Sequence, residues 1–429
     1  MDNRSHKSAF AIVTILFFMW GFLTCLNDIL VPHLKGVFDL NYTKVMLIQF
    51  SFFAAYFIMS IPAGKLIGRF GYQRGIVIGL ATGALGALMF YPAAGLLSYP
   101  LFLSALFVLA TGITVLQVAA NPYAAVLGKP ETASSRLNLA QAVNSLGHTT
   151  APYIGGIFIL AGAVLTQDQI SALPSAEQLT YKLTKASSVQ TPYLILAAAL
   201  LALAIVMALI KLPVIASVED HTTRHTKLRD AWKYRHLRLA ALGIFLYVGA
   251  EVSIGSFLVN FFGQPDIAGL AAAVAAGFVS YYWGSAMVGR FIGSALLQKL
   301  KPRGVLAVAA SCASLLTFIT VAASGHVAMW TIIAVGFFNS VMFPIIFTLG
   351  IEDLGQLTSR GSSVLVMAIV GGAVIPVIQG ALADTIGIHT AFLLPAVCYL
   401  YIVYYALKGS KHPVKPETVA LKAEIVAEP

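Results

Sequence analysis

The chain has 429 residues, of which 59% are hydrophobic and only 10% charged, with 27 Lys and Arg set against 17 Asp and Glu. About a quarter of the residues in an ordinary soluble domain are charged, so water cannot be the only solvent here. The net charge of +10 does not indicate nucleic acid, because the basic residues sit in short connections and no basic, aromatic-interleaved patch occurs. Cys25, Cys312 and Cys398 lie far apart in apolar runs, which excludes a disulfide framework and a zinc spacing.

A helix crosses the roughly 30 Å hydrocarbon core with about 20 apolar residues. The first apolar run, 10–31, has full span length and no A-x-A-like site after a short apolar region, so it predicts a retained span rather than a signal peptide. Twelve spans follow in chain order: 10–32, 45–66, 76–97, 101–127, 137–164, 192–212, 238–262, 270–297, 304–325, 327–350, 362–386 and 390–408. The predicted fold class is therefore an all-α membrane protein. If both termini are cytoplasmic, 22 of the 27 Lys and Arg fall on the inside, and only Lys35, Lys44, Lys182 and Lys185 fall in outside loops. That asymmetry predicts an inner-membrane protein with both termini inside and an even span count.

The longest basic stretch divides the spans six and six. The expected organisation is an N-terminal six-helix half at 1–212, a cytoplasmic linker at 213–237, a C-terminal half at 238–408 and a cytoplasmic tail at 409–429. The halves echo each other: Arg136, Gly147, Pro152 and Gly156 recur 224 residues later as Arg360, Gly371, Pro376 and Gly380. Likewise the stretch 64–75, GKLIGRFGYQRG, matches 293–304, GSALLQKLKPRG, in both end glycines and in its basic character. Parallel six-span halves imply alternating access about a site near the midplane.

Only Asp28 and Glu251 among the acidic residues fall well inside spans, in the equivalent first helices of the two halves. A carboxylate at that depth is costly unless paired, protonated or facing water. No Lys or Arg lies at similar depth, Arg290 and Arg136 being nearer the inside ends, so the expectation is two acids without a permanent salt bridge, facing one cavity. Gln117 and Asn121 share a face of span 4; Gln141, Asn144 and Asn138 share one of span 5. Span 7 adds Ser256 and Asn260, span 10 adds Asn339 and span 11 adds Gln379. Amides that both donate and accept suit a polyhydroxylated solute, and Trp20, Trp283, Tyr123 and Tyr282 could offer faces to a sugar ring. The candidate substrate-binding set is Asn27, Asp28, Gln117, Asn121, Gln141, Asn144, Asn260 and Asn339. An intramembrane enzyme is excluded: no H-x-x-x-H, G-x-S-x-G or Walker loop lies in the spans, and His148 stands alone.

Several blocks resemble the fucose and hexose permease branch of the major facilitator superfamily, in particular its bacterial glucose and galactose transporters. They are Leu26-Asn27-Asp28-Ile29-Leu30, Ala119-Ala120-Asn121-Pro122-Tyr123, Arg136-Leu137-Asn138-Leu139-Ala140-Gln141 with Asn144-Ser145, Leu246-Tyr247-Val248-Gly249-Ala250-Glu251, and 340–350. The resemblance covers essentially the whole chain. It implies a monomeric sugar carrier with no covalent cofactor, whose pocket is lined by Asn27, Asp28, Gln141 and Asn144, with Asp28 essential. Two features depart from the family pattern. Fucose-proton symporters have a glutamate where Gln117 stands and an amide where Glu251 stands, and Gly68 replaces the acid of the superfamily's GxxxDRxGRR motif. With a carboxylate relocated to the second half, Asp28, Glu251, Gln117 and Asn121 could form an oxygen-ligand Na⁺ site. The expectation is therefore a hexose symporter favouring Na⁺ over H⁺, against the alternatives of a proton-coupled fucose-type symporter or a passive sugar facilitator.

Overall fold

The computed structural model describes residues 3–38, 42–158, 172–210 and 228–411. Within those helices the side chains of 26–33 and 152–158, among others, lie outside the description, as do most of the expected linker and nearly all of the tail. Among the described residues there are helices and no strands.

Span 1 is the helix Asn3–Phe38. Spans 2 and 3 form one hydrogen-bonded run, Tyr42–Gly95, that reverses at Gly71, where φ is 81° and ψ 171°, a backbone conformation that essentially only glycine adopts. Spans 4, 5 and 6 are Tyr99–Val126, Ala133–Phe158 and Gln190–Leu209. A further amphipathic helix, Ser175–Ser187, lies between spans 5 and 6 where the sequence reading placed only a loop. Spans 7, 8 and 9 are Arg235–Phe262, Ala272–Leu296 and Pro302–Ala322. Span 10 is broken into Gly325–Asn339 and Met342–Ile351. Pro344 explains the break, because it has no N–H for the Ser340 carbonyl and its ring crowds that oxygen. Span 11 is likewise divided into Thr358–Met367 and Gly371–Ile386, joined by one tight turn. Span 12 ends in Leu393–Tyr404 and a wide turn to Gly409.

Large apolar side chains stand exposed along nearly every span, for example Phe57, Leu85, Ile205, Val308, Leu315, Val377 and Leu400. In water such a continuous belt would aggregate; against lipid it costs nothing. The internal repeat is visible as packing. Gly147 of span 5 abuts the backbone at Phe18 of span 1, and Gly371 of span 11 abuts the backbone at Phe245 of span 7. At both crossings any Cβ would collide with the neighbouring carbonyl, so glycine is required for the helices to approach this closely.

Contacts between the first six spans and the last six gather near one end of the bundle, the end bearing Lys129, Arg136, Lys299 and Arg360. Here the Ser134 and Thr348 hydroxyls meet at 2.6 Å, Ser135 donates to the Ser294 carbonyl at 2.7 Å, and Ser362 donates to the Val118 carbonyl at 3.0 Å. Gly64 of span 2 packs on Ser363 and Ser359 of span 11. The Arg136 guanidinium donates to the Ala124, Ala125 and Lys129 carbonyls, satisfying the otherwise unpaired end of span 4. The halves are thus closed together at the basic end.

Candidate functional site

The first polar group lies on spans 4 and 5. Gln117 is almost wholly buried and its Nε2 donates to the Tyr56 hydroxyl of span 2 at 2.9 Å. Asn121, one turn further, is fully enclosed, and both of its amide atoms lack a protein partner. On span 5, Asn144 donates through Nδ2 to the Phe17 carbonyl of span 1 at 2.8 Å, which ties it to packing beside Gly21. Gln141 and Ser145 are buried one turn apart on the face that meets the second half, with Ser145 Oγ donating to the Gln141 carbonyl at 3.1 Å. Asn138, on the same stripe, donates to the Arg290 carbonyl of span 8 at 2.6 Å.

The second group is in the C-terminal half and carries the charge. Glu251 Oε1 lies 2.8 Å from the Tyr247 hydroxyl, one turn earlier on span 7. The same hydroxyl lies 3.0 Å from the Asn339 carbonyl, so its single proton can serve either oxygen. That carbonyl sits at the break in span 10, where regular helix bonding stops. Asn339 Nδ2 in turn donates to the Tyr282 hydroxyl at 2.8 Å. Arg290 Nη2 stands 3.8 Å from Glu251 Oε1, with the two side chains only 15% and 13% exposed. Arg290 Nη1 also donates across the seam to Ser145 Oγ.

For Glu251, the pair corrects the expectation that no cation reaches the buried acids. Glu251 lies deeper from the basic end than Arg290 does, and the length of the arginine side chain brings its guanidinium to the carboxylate. Among the described side chains, the expected Na⁺ ligands are not brought together. Glu251 is engaged by Tyr247 and Arg290, Gln117 by Tyr56, and no bond among the described residues joins Glu251 to Gln117 or Asn121. A guanidinium at 3.8 Å is also a poor neighbour for a second cation.

The remaining expectations divide. Asn27 and Asp28 lie on the span 1 helix, but their side chains fall outside the description. Asn260 and Ser256 are exposed and lie further along span 7 than Glu251. Gln379 is buried with both amide atoms unpartnered. Trp20 packs on Phe17 with ring centroids 4.0 Å apart and planes tilted by 40°, and Tyr123 packs on Tyr72, so both serve the core rather than a ring-binding face. Trp283 is largely exposed. His148 Nδ1 lies 3.3 Å from the Asn144 carbonyl in its own helix. Sequence reasoning missed Arg290, Tyr247, Tyr56 and Ser145 as members of the site. A charged residue inside span 8 was the available signal for the first.

The family profile described as Major Facilitator Superfamily matches residues 9–369. Over 410 residues the chain is 56% identical to the glucose/galactose transporter of Brucella abortus biovar 1 (strain 9-941), covering 96% of each chain. It is 38% identical over 411 residues to the L-fucose-proton symporter of Escherichia coli (strain K12), covering 94% of each. A solved structure described as the major facilitator superfamily transporter FucP in the outward conformation is 37% identical, with a TM-score of 0.89, covering 95% of this chain and 100% of that one.

Proposed function

Since the chain belongs to the major facilitator superfamily and is a multi-pass sugar transporter of bacterial type rather than an enzyme, we propose that it is a proton-coupled hexose symporter of the glucose and galactose class. The observation that carries this reading is the buried carboxylate–guanidinium pair on spans 7 and 8, joined across the seam between the halves to Ser145 and Asn138 of span 5, the span that also carries the buried amide Gln141. Amides serve hydroxyls in both hydrogen-bonding directions; a carboxylate that can exchange its guanidinium for a proton serves coupling. The names of the relatives, a glucose/galactose transporter at 56% identity and a fucose-proton symporter at 38%, support the same substrate class and ion.

In this reading the sugar contacts Gln117, Gln141 and Asn121, together with Asn27 and Asp28 as the sequence resemblance implies. Glu251 shares coupling with Asp28, and a proton replaces the Na⁺ that sequence reasoning favoured. The division into six-span halves at 1–212 and 238–408 gives the two bodies that rock about the site. The basic end faces the cytoplasm, with both termini, so the closed seam is the inner gate and the carrier stands open to the outside, acting as a monomer. Radiolabelled glucose uptake into proteoliposomes tests it. Accumulation is expected under an inward pH gradient without Na⁺ and not under a Na⁺ gradient at equal pH. Uptake that only equilibrates would make the protein a passive facilitator, and no hexose uptake at all would sink the substrate assignment.

A further inference from the structure

Arg290 takes part in two interactions that belong to different bodies. Within its own half its guanidinium stands 3.8 Å from the Glu251 carboxylate. Across the seam it donates to Ser145 Oγ, and its backbone carbonyl accepts from Asn138 Nδ2 at 2.6 Å. Its Nε is buried without a partner. The guanidinium is therefore a buried cation whose only described anionic neighbour is Glu251, held at the interface that must part for the basic end to open. The other described titratable groups nearby are Tyr247 on span 7, Tyr282 on span 8, Tyr399 on span 12 and His148 on span 5. None supplies a negative charge near neutrality.

We infer that Arg290 is the coupling residue that converts the charge state of Glu251 into opening or closure of the seam at the basic end. With Glu251 ionised, the guanidinium is balanced and can stay buried between the halves. With Glu251 neutral, the closed seam holds an uncompensated buried cation, which is expensive. Parting the halves lets water reach that cation, so neutralisation lowers the open state relative to the closed one. Only a proton transfer is involved: the carboxylate oxygen gains a proton from the outer side and releases it to the inner side. The step rests on the proton-coupled reading above, and the hydroxyls of Ser145 and Tyr247 position the guanidinium and the carboxylate between their two states.

The test is a distance measurement between spin labels on K129C and K299C, two exposed positions on opposite halves at the basic end, in full-length protein with Cys25, Cys312 and Cys398 replaced and reconstituted in nanodiscs. Wild-type protein is expected to show a short distance at pH 8 and a growing long-distance population on acidification. E251Q, which fixes the side chain as neutral, should favour the long distance by about tenfold at pH 8 and lose the response to pH. R290A should abolish the pH response as well, and R290K should restore part of it, which a merely structural role would not do. E251Q or R290A with the wild-type distance distribution and pH response, in protein that elutes as a single species, overturns the inference. Proteoliposome uptake of glucose by wild-type protein is scored separately. Its failure under a pH gradient removes the proton-coupled reading, whereas the distance distributions alone judge Arg290.

Discussion

The two halves share a scaffold and differ in what they carry. Span 5 crosses span 1 at Gly147, and span 11 crosses span 7 at Gly371, in the same way and for the same steric reason. Yet the interior of the first half presents amides, Gln117, Asn121 and Gln141, while that of the second presents Glu251, Arg290, Tyr247 and Tyr282. Backbone packing is set by where side chains are absent, and a repeat preserves those absences; chemistry is set by where the halves cease to match. Among the described side chains, the amides of one body and the charge pair of the other meet at Ser145 and Arg290.

The comparison can be broken most severely at the shared crossings. Gly147→Leu and Gly371→Leu should each cost about 3 kcal/mol or more through overpacking, read as lost monodispersity or a sharply lowered Tm in detergent. If the two substitutions differed greatly, the equivalence of the crossings would fail. Next in size is the charge pair. Glu251→Ala should destabilise by about 3 kcal/mol because it strands a buried guanidinium, and the double change E251A/R290M should recover most of that; thermal melting of the single and double variants checks it. Gln117→Ala is expected to raise the KM for hexose about tenfold, the scale of one buried hydrogen-bonding group, while leaving the dependence on the pH gradient intact. An altered pH dependence would show that the amide half also handles charge. The smallest effect belongs to Arg136→Ala, which leaves carbonyls at the end of span 4 to water and should lower stability by about 1 kcal/mol without changing substrate preference.

Most of the architecture was legible because membrane helices are announced by composition over long windows. The twelve runs, their order and the repeat pairing Gly147 with Gly371 needed no tertiary information. The helix at Ser175–Ser187 escaped notice because it is short, polar on one face and lacks a span's hydropathy. At the site, residue types and depth singled out Glu251, Gln117 and Gln141. Arg290 was misjudged because depth was reckoned from its Cα, although its charge sits several bonds away. Asn144 and Asn339 read as ligand groups but are tied to the Phe17 carbonyl and the Tyr282 hydroxyl. An amide's sequence position says which functions it can perform; only its neighbours say which are already taken. The Na⁺ expectation gained no support for a related reason, since counting oxygen donors omits the cation that stands beside one of them.

The hydroxyl contacts at the basic end have an energetic corollary. Ser134 with Thr348, Ser135 with Ser294 and Ser362 with Val118 are neutral bonds, and each can be exchanged for a bond to water with a net change of only about 1 kcal/mol. A gate latched by greasy interlocking side chains would be stable in one position and would require a large input to release. On the proposed transport reading, a gate fastened by hydroxyls would rest near balance between its two positions, and a single protonation would be enough to tip it.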